Sequence, residues 1–67
     1  MDPKECLRLC DQAISDCCIE AAIEHLQDYC DWRRKGGFEP IEVAGTLRRG
    51  DDFANWCHER IVMQLIA

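Results

Sequence analysis

Apolar residues recur every three to four positions through the first third of the chain. Cys6, Leu7, Leu9, Cys10, Ala13, Ile14 and Cys17 fall on one side of a 3.6-residue wheel, and Lys4, Glu5, Arg8, Asp11, Gln12 and Ser15 fall on the other. The residues ahead of this stripe are helix-start signals, with Asp2 as N-cap, Pro3 at the first position and Glu5 at the third. The pattern predicts a first helix beginning at Pro3. Beyond Cys18 the stripe changes phase. Ile19, Ala22, Ile23, Leu26, Tyr29 and Cys30 form a second face, rotated by roughly 150° from the first at 100° per residue. One straight helix cannot bury both faces in a single small core. Either the chain turns near residues 14–17, with Ser15 or Asp16 capping a second helix, or one long helix buries its second face against a partner. The turn is the favoured reading.

The second helix has a clear stop. Arg33, Arg34 and Lys35 suit the negative end of the helix dipole, and Gly36-Gly37 permit a left-handed exit. Glu39-Pro40 then predicts a short helix through about Arg49, with Val43, Ala44 and Leu47 facing inward and Gly50 ending it. Gly45 weakens that helix. An extended course over residues 41–47 is the alternative, because Ile41-Glu42-Val43 alternates. Asp51 or Asp52 is expected to cap the last helix, where Phe53, Cys57, Ile61 and Leu65 line one face together with Ala54. Trp56, Val62, Met63 and Ile66 fall outside that face. So much apolar circumference places the helix at the centre of the bundle or makes its outer side an interface. The fold expected is all-α, a single domain over residues 1–67 built as a small bundle of three or four short helices.

Sixty-seven residues lie near the lower limit for a domain that folds alone, yet an apolar fraction of 48% argues against disorder. No run approaches the ~18 apolar residues of a membrane span, so no membrane association is expected. The opening Met1-Asp2-Pro3-Lys4-Glu5 is polar and carries no apolar core of a signal peptide, which predicts a cytoplasmic protein. The net charge of −5 is unevenly spread. Residues 1–31 hold eight acids against Lys4 and Arg8, while bases cluster at Arg33-Arg34-Lys35 and Arg48-Arg49. Such a surface repels nucleic acid over most of its area, so direct DNA or RNA binding is not expected.

Six cysteines are the next feature: Cys6, Cys10, Cys17, Cys18, Cys30 and Cys57. All fall inside helical patterns, and Cys17 and Cys18 are adjacent. In a reducing compartment these behave as small hydrophobes, and no cofactor is expected. A helical thiol row of Cys6, Cys10 and Cys17 is the alternative, suited to soft cations such as copper(I) or zinc, with His25, Cys30, Cys57 and His58 as further donors. No pair has the C-x-x-C spacing of compact zinc sites. Catalysis has little support. Cys57 and His58 are neighbours that point about 100° apart on a helix, and no phosphate loop, nucleophile elbow or dinucleotide fingerprint occurs. The expectation is a protein that is not an enzyme.

The most specific charge pattern lies in the second helix. Asp16, Glu20, Glu24, Asp28 and Asp31 fall along one face with Gln27 beside them. Residues four apart rise ~6 Å on a helix, close to the ~6–7 Å between phosphates along one nucleic-acid strand. The row is either an ordinary solvated face or an anionic stripe that docks into a basic groove made for nucleic acid. Trp32-Arg33-Arg34-Lys35 likewise reads as a nucleic-acid toe-hold or as a solubilising helix end with Trp32 tucked against the bundle. Trp56 and Phe53, with Val62 and Ile66, serve a protein contact or the core.

Residues 26–37, Leu26-Gln27-Asp28-Tyr29-Cys30-Asp31-Trp32-Arg33-Arg34-Lys35-Gly36-Gly37, resemble a signature of small accessory proteins of bacteriophages and prophages. Those proteins pair a Leu-x-x-Tyr-x-x-Trp-Arg-Arg-x-Gly helix end with a Pro-led second helix, as Glu39-Pro40-Ile41-Glu42 does here. The resemblance spans residues 26–43, under a third of the chain, and carries over no functional residue. It implies a setting, the host bacterial cytoplasm, more than a role; short acidic phage proteins often bind and block a host machine, CRISPR effectors included, and the acidic row fits that class. The expected function is therefore an interaction module that inhibits a host nucleic-acid-handling protein. Its contacts would be the acidic face of Asp16, Glu20, Glu24, Asp28 and Asp31 and the apolar residues Trp56, Val62, Met63 and Ile66. The alternatives are a thiol-based metal carrier or sensor using Cys6, Cys10 and Cys17, and a homodimeric assembly module using the last helix.

Overall fold

The computed structural model describes residues 2–66. Among them three helices pack together, α1 Pro3–Ser15, α2 Ile19–Arg34 and α3 Gly50–Ile66, so the fold is a small all-α bundle. The Asp2 side chain accepts from the backbone N–H of Lys4 at 3.0 Å and of Glu5 at 3.4 Å. These bonds satisfy two donors that the first turn leaves open. Leu7, Cys10 and Ile14 of α1 are fully buried.

The chain reverses where the phase of its apolar stripe changes. Cys18 N–H bonds to Ala13 O at 2.8 Å and Cys17 N–H to Ile14 O at 3.1 Å, a Schellman closure of α1. Cys17 takes the left-handed position with φ 61°, a place usually given to glycine. Two expectations are corrected here. Asp16 is the C-cap of α1 and not the start of α2, and α2 begins after Cys18 with no side-chain cap. Cys17 also leaves the stripe of Cys6 and Cys10 and stands exposed in the turn. The same closure ends α2 as its sequence predicts, with Gly36 at φ 90° and Gly37 N–H bonded to Trp32 O at 2.8 Å.

The helix expected between Pro40 and Arg49 does not form. Val43 and Thr46 instead exchange backbone hydrogen bonds at 3.0 Å in each direction, around Ala44 and Gly45 at φ 52° and 77°. Positive φ at both central residues is the pattern of a type I′ hairpin turn. Gly45 disfavours a helix by about 1 kcal/mol, β-branched Ile41, Val43 and Thr46 favour extended backbone, and the Thr46 hydroxyl bonds back to Val43 O at 2.8 Å. Val43 reaches the core as expected, whereas Ala44 and Leu47 face solvent, Leu47 with 91% of its surface exposed.

Gly50 starts a helix and does not end one. Its N–H bonds to Pro40 O at 2.7 Å, and the Asp51 N–H is taken by the Glu39 carboxylate at 3.0 Å. The cap expected from Asp51 or Asp52 is thus supplied across the hairpin by Glu39, which frees Asp51 for α2. Phe53, Ala54, Cys57 and Ile61 join the core as the wheel predicts. Leu65 is the exception. It lies one turn beyond Ile61, the last buried apolar residue of α3 among those described, and is left 65% exposed. Arg60 of α3 pairs with Asp11 of α1 and holds the two helices in register.

Candidate functional site

The folded helices present three surfaces with distinct chemistry. The first is the acidic side of α2. Ala22, Leu26 and Tyr29 are buried, and Glu20, Glu24, Asp28 and Asp31 lie on the opposite side of the wheel, each exposed. Asp16 sits at the end of α1, where its carboxylate accepts from Gln12 at 3.1 Å. Asp31 is paired with Arg34 at 3.1 Å in a solvated i,i+3 contact, a geometry that contributes little. Among the described residues Glu20 and Glu24 take part in no ion pair.

The second surface is the seam between α1 and α2. A turn centred on Asp16 lays Cys10 against Ala22 and Cys6 against His25: the Cys10 thiol donates to Ala22 O at 3.3 Å and the Cys6 thiol to His25 O at 2.8 Å. Beside Cys6, the thiol sulfur, an imidazole nitrogen of His25 and a carboxylate oxygen of Asp28 all lie within 4.8 Å of one another. Burial pushes the Cys6 thiol up to about 11, and the negative charge of Asp28 adds to the effect. The cluster opens onto a shallow cleft of about 210 Å³ that Asp2, Glu5 and Leu9 also line. The sequence pattern groups Cys6 with Cys10 and Cys17 along one helix and offers His25 only as a further donor. The available signal was the i,i+3 pair His25 and Asp28, which projects from one side of α2 once that helix folds back on α1.

Cys10 has a different neighbour. Cys10 and Cys57 of α3 are both fully buried in the core, and the neighbouring Cys10 thiol, together with burial, pushes the Cys57 thiol up. All six cysteines are free; Cys6, Cys10 and Cys57 are buried, and Cys17, Cys18 and Cys30 are exposed. Half of the thiols therefore serve the core; Cys17 and Cys30, which the apolar pattern also places on inward faces, stand exposed with Cys18.

Arg33, the first base of the run at the end of α2, is committed within the fold. Arg33 grips Asp51 through Nε at 2.9 Å and Nη2 at 3.1 Å and reaches Gly37 O at 2.8 Å. This guanidinium, ahead of a hydrogen bond from Tyr29, holds the Asp51 carboxyl below the usual carboxylate range. Trp32 is half-buried, stacked edge-to-face on Phe38 at 5.5 Å with its indole N–H on Phe38 O at 3.0 Å.

The third surface is the outer side of α3. Trp56 packs edge-on against Phe53 at 5.4 Å and carries two guanidiniums over its ring, Arg60 at 4.4 Å and Arg48 at 5.2 Å. Val62, Met63, Leu65 and Ile66 are exposed beyond it, and Val62 and Leu65 edge a groove of about 610 Å³ floored by Ile23, Leu26 and Ile61 of α2 and α3. Among the described residues no helix is long and apolar enough to cross a membrane. Comparison of the chain with known protein families, curated proteins and solved structures finds no match.

Proposed function

We propose that this protein is an interaction module that docks the acidic side of α2 into a basic groove shaped for nucleic acid on another protein. The observation that supports this reading is the run Glu20, Glu24, Asp28 and Asp31, exposed on the side of α2 turned away from the core. A helix holds these carboxylates at a fixed spacing of ~6 Å per four residues, which matches a row of phosphates better than a flexible acidic tail does. Like charges stacked at i,i+4 weaken the helix by a few tenths of a kcal/mol per pair, and a basic partner offsets that cost. Charge complementarity of this kind sets specificity and association rate. The resemblance of residues 26–43 to phage accessory proteins suggests a bacterial nucleic-acid-handling protein, such as a CRISPR effector, as the partner and inhibition as the outcome.

The test is affinity capture from bacterial lysate with the immobilised protein, compared with a Glu20→Lys/Glu24→Lys variant. Both positions are solvated, so the fold tolerates the change. The reading expects a captured protein that is released by salt, displaced by added duplex DNA or RNA, and lost with the variant. Capture that survives both salt and the double reversal overturns it.

Exposure of Val62, Met63, Leu65 and Ile66 favours a second reading, self-association through α3. A monomer at high concentration in analytical ultracentrifugation excludes that one.

A further inference from the structure

Cys6, His25 and Asp28 come from two helices, and only one of them belongs to the acidic face. The core does not require their convergence. Cys6 would be buried equally well against an apolar residue at position 25, and Asp28 would be solvated without Cys6. We infer that Cys6, His25 and Asp28 form a binding site for a zinc-class divalent cation that ties α1 to α2.

Geometry carries the argument first. The three ligand atoms lie within 4.8 Å of one another. Tetrahedral zinc, with bonds of about 2.0–2.3 Å, sets its ligands roughly 3.3–3.8 Å apart, a distance that side-chain rotation can close. Both helices are anchored where the site lies. Cys6 is flanked by buried Pro3, Leu7 and Cys10 on α1, and His25 and Asp28 bracket buried Leu26 on α2. The ligands therefore start from fixed backbone positions.

The donor chemistry then selects the ion. One thiolate, one imidazole and one carboxylate suit zinc and its neighbours in the first transition row, whereas calcium and magnesium demand oxygen ligands. Three protein ligands leave the fourth position to water in the cleft. The surroundings are anionic as well, with Asp2 and Glu5 lining the same cleft, Glu5 already engaged by Arg8. A cation replaces the thiol proton there and is attracted by the charge that otherwise disfavours the thiolate. A metal across α1 and α2 would also strengthen a domain of only 67 residues. This site differs from the thiol row that the sequence suggested. Cys10 is turned to Ala22 and Cys57, and Cys17 to solvent.

Chelator-treated, reduced protein titrated with cobalt(II) alone tests the site. One equivalent should produce a sulfur-to-cobalt charge-transfer band that one equivalent of zinc bleaches. Zinc at ~100-fold excess over its Kd should raise the thermal midpoint by roughly 10 °C or more. Cys6→Ser should abolish the band, and Asp28→Asn, at an exposed position that leaves the fold intact, should weaken cobalt binding at least tenfold. Cys17→Ser, Cys30→Ser and the Glu20→Lys/Glu24→Lys variant should keep the band, which separates this site from docking by the acidic face. Absence of the band in the wild type, or a band that survives Cys6→Ser, overturns the proposal.

Discussion

The Tyr29 hydroxyl, on the buried side of α2, donates a 2.8 Å hydrogen bond to the Asp51 carboxylate in the first turn of α3. Arg33 takes the same carboxylate from one turn further along α2. A single acid thus receives three donors from a neighbouring helix, and it is available for them because Glu39 caps α3 in its place.

Tyr29→Phe should leave the ring packed and remove only the hydroxyl. Hydrogen bonds to charged groups contribute ~1.5–3 kcal/mol. Asp51 keeps 48% of its side chain exposed, so a loss of about 1–2 kcal/mol is expected. For a domain this size that lowers the thermal midpoint by roughly 5–10 °C, measurable by circular dichroism.

The same cluster sets the acid response. Asp51 is held below its ordinary value of 3.8, chiefly by Arg33. Its contribution is complete above pH 3.8 and is lost as the pH falls through the lower folded-state value. On the alkaline side, in the metal-free protein, Cys6 is raised from 9.0 to about 11, mainly by burial. Stability from that group is complete below pH 9 and declines as the pH rises toward 11. Tyr29, raised above 10.0 by burial and by Asp51, extends the decline. Urea unfolding across pH should show both limbs, and Asp51→Asn should flatten the acid one.

Gly50→Ala should destabilise, although Ala is the better helix former. A methyl group there would meet the Tyr29 hydroxyl and stand 2.7 Å from Pro40 Cδ. Overpacking of this kind costs about 1–3 kcal/mol, more than the ~1 kcal/mol that helix propensity returns. A lower urea midpoint with an unchanged m-value is the expected result.

Cys17→Gly should have the opposite sign. The residue is exposed and left-handed at φ 61°, a conformation that costs a side-chain-bearing residue ~1–2 kcal/mol. Glycine's extra freedom in the unfolded chain returns part of that. A net gain of about 0.5–1 kcal/mol is expected in the same urea assay.

Thiol alkylation followed by mass spectrometry should divide the cysteines by burial. Cys17, Cys18 and Cys30 should react at once under native conditions, Cys10 and Cys57 only at the rate of unfolding, and Cys6, at the edge of its cleft, at a rate between the two. Rapid modification of Cys57 would contradict its place in the core.

The helices were legible because their signals are local. Asp2-Pro3 and the stripe from Cys6 to Ile14 define α1, and Gly36-Gly37 close α2. Even the reversal followed from the change of phase at Cys17 and Cys18, since only a turn lets two faces enter one core. The segment before α3 departs from the expected helix for a physical reason. Glu39-Pro40 carries a helix-start signal, but Gly45 and the β-branched residues around it outweigh that signal over so short a span. Glu39 acts instead on Asp51, twelve residues away, a pairing that no local pattern contains. The cluster of Cys6 and His25 escaped for a similar reason. Periodicity groups residues on one helix, and this group exists only after two helices meet.

The hydrogen bond from Gly50 to Pro40 also has a practical consequence. It closes the mouth of the hairpin independently of what lies at the tip, where Ala44 and Gly45 are exposed. A peptide epitope spliced between those two residues would lengthen a loop already shut at its base, and lengthening a closed loop is thermodynamically cheap. The tip is thus a natural port for a reporter tag.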